Sequence, residues 1–252
     1  LMCVGMHATR RSCNLPEVLR EYRWFMLAAV LAGVLVPWLI YGSVTLMIAL
    51  GFTAAIWIML ASLGEPVAAM LGKIALTRAR AGMHLAHFGI GMFTMGAVAV
   101  SSFGIEADRS ISPGEQVNVS GYDFELKELV PGKGPNYDYL RGIEEVTSDG
   151  DPVATLLPEQ RMYLQQESPM TEAGIDAHLR RDIFVALGDP LGNNAWSVRL
   201  QYKPLIRFIW LGTILMSLGG LLAISDKRYR VKSRATQGTS GARPKTPASE
   251  AS

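Results

Sequence analysis

Val44-Thr-Leu-Met-Ile-Ala-Leu-Gly-Phe-Thr-Ala-Ala-Ile-Trp-Ile-Met-Leu-Ala-Ser-Leu63 runs without a single charged side chain. A bilayer core about 30 Å thick is crossed by about 20 predominantly apolar residues in a helix. This stretch has that length, and it makes the chain a membrane protein. Upstream, Trp24–Ile40 is another charge-free block, joined to the first through Tyr41-Gly42-Ser43. So short a link makes the two a helical hairpin. Downstream, Gly82–Phe103 and Leu205–Ile224 give a third and a fourth span. Their only ionisable side chains are His84, His87 and Arg207.

The whole chain agrees. It has 252 residues, 49% hydrophobic and 18% charged, where soluble domains carry about 25% charge. The charge is segregated into polar blocks between the spans. This pattern excludes a single soluble enzyme domain, and no basic domain suited to nucleic acid stands out. The formal net charge of +2 is uninformative; the positions of the cations decide the orientation. Arg10, Arg11, Arg20 and Arg23 precede span one. Lys73, Arg78 and Arg80 lie between spans two and three, and Lys227, Arg228, Arg230, Lys232 and Arg234 follow span four. With four spans all three clusters fall on one side, which the positive-inside bias makes the cytoplasm. The polar stretch between the last two spans then faces the periplasm.

The expected organisation is therefore a cytoplasmic arm at 1–23 and three transmembrane helices within 24–103, with a cytoplasmic loop at 64–81. A periplasmic domain follows at 104–203, then the last transmembrane helix at 204–225. A disordered basic tail closes the chain at 226–252, too polar to bury a core. The stretch Glu65–Arg80 reads as a short interfacial helix or loop. Leu1 is not an initiator, and the N-terminus lacks an apolar signal core and cleavage site, so a fragment or split subunit is expected.

The insert reads as β-rich. Tyr122-Asp-Phe-Glu-Leu-Lys127 and Ala195–Tyr202 alternate apolar and polar residues, the period of a half-buried strand. Ser148-Asp-Gly-Asp151 is a turn between Leu140–Thr147 and Pro152–Leu157, which makes a hairpin. Ile175, Leu179 and Ile183 recur at i, i+4, i+8 and predict some helix around Glu172–Leu187. Cys3 and Cys13 match no metal or redox spacing, and the insert holds no cysteine, so it folds without a disulfide.

Ionisable groups inside a span are costly and tend to mark function. His84 and His87 are three residues apart on span three, near one helix face. His84 is one turn from Arg80, and the plain reading is a polar residue at the headgroups. His87 is a turn deeper, among Ala86, Phe88, Gly89 and Gly91, where small residues let a helix or a flat cofactor approach. Imidazole there serves an iron, a copper, a zinc or a proton relay. His7 and His178 read as solvated, and Arg207 as an interfacial anchor beside Tyr202 and Trp210.

More specific stretches occur in fixed order. They are Gly82-Met-His-Leu-Ala-His-Phe-Gly89, Met170-Thr-Glu-Ala-Gly-Ile-Asp176, Arg181-Asp-Ile-Phe-Val-Ala-Leu-Gly188 and Ala195-Trp-Ser-Val-Arg-Leu-Gln-Tyr-Lys-Pro-Leu-Ile-Arg-Phe-Ile-Trp-Leu-Gly212. With Leu218-Gly-Gly-Leu-Leu-Ala223 and Asp226-Lys-Arg-Tyr-Arg230 they make the chain resemble the C-terminal part of CcmF-type cytochrome c haem lyase subunits. The resemblance implies haem delivered by a periplasmic chaperone and joined to apocytochrome c, with other maturation subunits as partners, in the bacterial inner membrane. It also implies a membrane b-type haem between two span histidines, with quinol as electron donor. His87 matches the family's intramembrane ligand, as cofactor-binding residue and axial ligand of the iron; His84 matches nothing. The family's tryptophan-rich haem-handling segment, its flanking periplasmic histidines and the other span histidine are absent. The resemblance thus implies that this chain alone does not complete the ligation, and no catalytic residue is assigned. The alternatives are a non-catalytic scaffold that docks apocytochrome or a thiol-reducing partner, and a transporter fragment. The transporter reading lacks paired intramembrane charges and broken repeats.

Overall fold

The structure is a computed structural model that describes residues 15–164 and 168–226. The arm before residue 15, with Cys3, Cys13 and His7, and the tail after Asp226 lie outside the described residues, so their readings are not addressed. Among the described residues four helices are long and apolar enough to cross a membrane. They are α1 (Leu15–Tyr41), α2 (Leu46–Met70), α3 (Arg78–Phe103) and α4 (Ile206–Ile224). Thr45 caps α2 by accepting from the Ile48 N–H, and Thr77 caps α3 by accepting from the Arg80 N–H. Each satisfies an N–H that has no partner inside its helix.

The mixed stretch after span two differs from expectation. Helix α2 continues through Glu65 and Pro66 to Met70, and only residues 71–77 form the link. The reason lies across the interface. Glu65 accepts from His84 Nε2 at 3.0 Å, and Arg80 Nη1 stands 3.7 Å away. A carboxylate so compensated can stay on the helix instead of ending it.

Helices α3 and α4 approach closely. Gly82, Gly89 and Gly96 recur every seventh residue on α3; Gly82 meets Gly219 of α4, Gly89 meets Gly212, and Gly96 meets Leu205 and Ile209. A Cβ on Gly89 would stand 2.6 Å from the Gly212 carbonyl oxygen, so backbone meets backbone there. Asp226, at the end of α4, accepts from the Ala79 N–H at 2.9 Å and ties that end to the start of α3. The carboxylate suits the positive end of the α3 dipole.

Between α3 and α4 the chain forms ten strands. Among the described residues these are β1 (Ile105–Ile111), β2 (Gln116–Val119), β3 (Tyr122–Lys133), β4 (Tyr137–Ser148) and β5 (Asp151–Leu156), then β6 (Glu159–Tyr163), β7 (Met170–Glu172), β8 (Gly174–Ala177), β9 (Arg181–Gly192) and β10 (Ala195–Pro204). One antiparallel sheet has the order β1-β10-β9-β8; the other runs β2-β3-β4-β6-β7, with β5 also on β4. The inner faces meet through Phe124, Leu126, Val146, Ile183, Val185 and Leu200, among others. The strand alternations at 122–127 and 195–202 bury Phe124, Leu126, Val198 and Leu200. The predicted hairpin forms with Ser148 opposite Asp151, and Asp149 and Gly150 both take the positive φ that a two-residue turn requires.

The helix expected around Glu172–Leu187 is not there; the segment is β7, β8 and the start of β9. The spacing Ile175, Leu179, Ile183 was misleading, since Ile175 and Leu179 are 51% and 56% exposed. The pattern that the fold obeys is Ile183, Val185, Leu187, three fully buried residues at period two.

Candidate functional site

His87 sits mid-way along α3, half-buried. Its Nδ1 lies 2.7 Å from the Met83 carbonyl oxygen, one turn back. A carbonyl only accepts, so the proton belongs on Nδ1 and Nε2 keeps its lone pair. No described residue hydrogen-bonds Nε2. Metal-ligating histidines almost always use one ring nitrogen in this way, fixing the tautomer while the other is offered. His87 is therefore a residue that could hold a haem iron through Nε2. The described residues offer no second histidine for it, because His84 is otherwise engaged.

His84 departs from its expected place at the headgroups. It is 1% exposed, held between α2 and α3 with its Nε2–H directed at Glu65. Of the two roles expected of the glycines, they take helix approach. Gly89 faces α4, and Gly91 faces Met59 and Ala55 of α2, so both serve helix contact and neither bounds a cofactor slot. His178 stands exposed on the insert, as read, with Nε2 3.4 Å from Asp176. Arg207 is more than an anchor: its Nε donates to Asp182 at 3.1 Å and joins α4 to β9.

A cavity of about 750 Å³ that the sequence pattern does not announce lies between the helices and the sheets. Its floor holds Val36, Phe52, Met95 and Phe208; its neck holds Tyr122, Tyr202 and the turn from His178 to Arg181. Burial, then the neighbouring Tyr122, pushes the Tyr202 phenol above its usual range. The residues that close this space come from seven elements, which no linear pattern brings together.

A family model described as the CcmF C-terminal beta-sandwich matches residues 102–204. CcmF of Escherichia coli strain K12, named a cytochrome c-type biogenesis protein, is 36% identical over 204 residues, 81% of this chain and 32% of that protein. The chain belongs to the CcmF family and corresponds to its C-terminal part. CcmF of Pseudomonas aeruginosa is 48% identical over 163 residues, covering 65% of this chain and 25% of that protein. CcmF of Pseudomonas fluorescens is 41% identical over 217 residues, covering 82% and 33%. A solved structure titled cytochrome c heme lyase CcmF superposes with a TM-score of 0.72 at 16% identity, over 89% of this chain and 37% of the other; it shows the fold. The chain spans a quarter to a third of the length of the CcmF relatives it matches. Four apolar helices and these relatives make it a multi-pass bacterial membrane protein.

Proposed function

We propose that this chain works in cytochrome c maturation as part of a membrane haem lyase, and that His87 is one axial ligand of a membrane-held b-type haem. The observation that carries this is the fixed tautomer of His87, with Nδ1–H on the Met83 carbonyl and Nε2 free of any described partner. When bound, the haem supplies one-electron chemistry, with quinol as donor. His87 orients, through the Met83 bond, and the apolar span around it excludes water. The second axial ligand comes from outside the described residues. Apocytochrome c, a haem chaperone and the other maturation subunits are the partners, in the inner membrane, with the β-sandwich in the periplasm. The relatives' names as cytochrome c-type biogenesis proteins support this reading.

The test uses the assembled lyase, with spectra of the reduced and oxidised haem. His87→Ala is expected to abolish the six-coordinate signal, and added imidazole to restore part of it. His84→Ala is expected to keep the haem signal but to loosen α2 from α3, because Glu65 then has only the distant, exposed Arg80. A normal spectrum in His87→Ala, with loss in His84→Ala, would assign the wrong histidine. An unchanged spectrum in both leaves the chain a docking scaffold.

A further inference from the structure

The cavity under the β-sandwich has a polarity gradient. Its floor is apolar and lies among the four helices. Its neck is the turn His178-Leu179-Arg180-Arg181, which joins β8 to β9 and is closed by the His178 N–H on the Arg181 carbonyl at 3.0 Å. The Arg180 carbonyl accepts from the Leu205 N–H at 2.9 Å, so the turn is fastened to the start of α4. Leu205 there has a φ of +51°, a conformation that non-glycine residues adopt at some cost, and it also lines the cavity.

The charges at the neck are unequal. Arg181 is engaged by Asp176 and by the Tyr122 hydroxyl. His178 shares the same aspartate, and Arg207 is engaged by Asp182. The Arg180 guanidinium finds no hydrogen-bond or ion-pair partner among the described residues, and it stands exposed at the mouth. Beside it Leu179 is 56% exposed. An apolar tip flanked by cations, level with the span ends, is the chemistry of a segment that meets an anionic lipid surface.

We infer that this cavity is a binding site for one anionic phospholipid, its acyl chain among Val36, Met95 and Phe208 and its phosphate on Arg180. The volume is within the 300–1,000 Å³ of small-molecule sites. The site is independent of haem and of His87, which lies two turns from Met95 toward the opposite end of α3. A free anion would use Arg180 but not the floor, and a neutral lipid the floor but not Arg180. Only an anionic amphiphile uses both.

The experiment uses the full chain, purified in mild detergent, stripped of lipid and titrated with mixed micelles. The micelles contain phosphatidylglycerol or phosphatidylethanolamine of the same acyl chains, and native mass spectrometry counts the bound lipid. One phosphatidylglycerol per chain is expected, held about tenfold more tightly than phosphatidylethanolamine. Arg180→Glu is expected to erase the preference, and Arg180→Lys to keep most of it. Arg109→Glu, the same charge change on exposed β1, is expected to leave it intact. Met95→Trp, which fills the floor, is expected to weaken both lipids. Millimolar inorganic phosphate is expected not to displace the lipid. Equal binding of the two lipids, unaltered binding in folded Arg180→Glu or Met95→Trp, or displacement by phosphate would overturn the assignment. So would retention of a neutral ring-bearing lipid in place of phosphatidylglycerol.

Discussion

Glu144 and Glu159 are both buried glutamates of the β-sandwich, with opposite protonation tendencies. Glu159 accepts from Arg141 Nε at 2.7 Å and from Arg161 Nε at 2.8 Å. Burial would raise its carboxyl, but the two guanidiniums hold it below the usual range. Glu144 is fully buried on β4, and neither carboxylate oxygen has a hydrogen-bond partner among the described residues. Burial first, and the Glu125 charge second, push its carboxyl up to about 8 from 4.5. Between those values the unfolded chain has lost the proton that the folded one keeps. Stability therefore falls as pH rises from 4.5 to about 8 and levels off above. A difference of one in pKa is worth about 1.4 kcal/mol, so the loss is on the order of 5 kcal/mol. Glu144→Met is expected to flatten that dependence and to stabilise the sandwich most at pH 8. Hydrogen exchange of the β3 and β4 amides in the full chain, at pH 5.5 and 8, measures it; equal pH slopes in parent and variant would refute it. This residue was legible in part. The register that buries Gly142 and Val146 puts Glu144 on the inner face, but alternation alone does not reveal a missing partner.

Helix contact here depends on glycine, and one substitution tests it. At Gly89 an added Cβ meets the Gly212 carbonyl and the Met216 N–H at 2.6 and 2.8 Å, and backbone cannot swing aside as a side chain can. Gly89→Val is expected to separate α3 from α4 and to cost about 1–3 kcal/mol, as overpacking does. Gly220→Ala, on the same α4 helix with open space around it, is expected to be neutral or slightly stabilising. Thermal unfolding of the two proteins in one detergent compares them; an equal midpoint would show that α3 and α4 need no such closeness. The spans themselves were readable from length and missing charge. Their ends were not, because Glu65 is retained in α2 by His84, a partner that is 19 residues away in sequence. The helix expected after Glu172 failed for a similar reason. Three apolar residues at helical spacing competed with three at strand spacing, and the second sheet decides in favour of Ile183, Val185 and Leu187 by burying all of them.

The two halves of the molecule are joined by one continued pairing. Helices α3 and α4 lie side by side, and the strands that leave them, β1 and β10, pair at once, with Ile105 opposite Tyr202. Both connections therefore emerge at the same end, next to each other, and the sandwich cannot lie on any other side than the far ends of α3 and α4. Hydropathy and the basic clusters showed this arrangement in outline. The junction cavity was invisible to them, since it forms only when the β8–β9 turn folds back on α4 through Arg180 and Leu205. The compartments are a separate matter, argued from charge. Lys73, Arg78 and Arg80 lie at the end opposite the sandwich, where the Ala79 N–H meets Asp226 at the end of α4. From the positive-inside bias we propose that this end is cytoplasmic and that the sandwich lies across the membrane. Reporter fusions at Ser148, in the β4–β5 turn, and at Gly238 are expected to give opposite readouts, with phosphatase active only at Ser148 and a cytoplasmic fluorophore only at Gly238. Replacing Lys73, Arg78 and Arg80 with neutral residues is expected to weaken that asymmetry, because one of the three orienting clusters is then gone. If both fusions report the cytoplasm, the number of helices that cross is not four. The loop-side cations then stabilise folding through Glu65 and do not set the orientation.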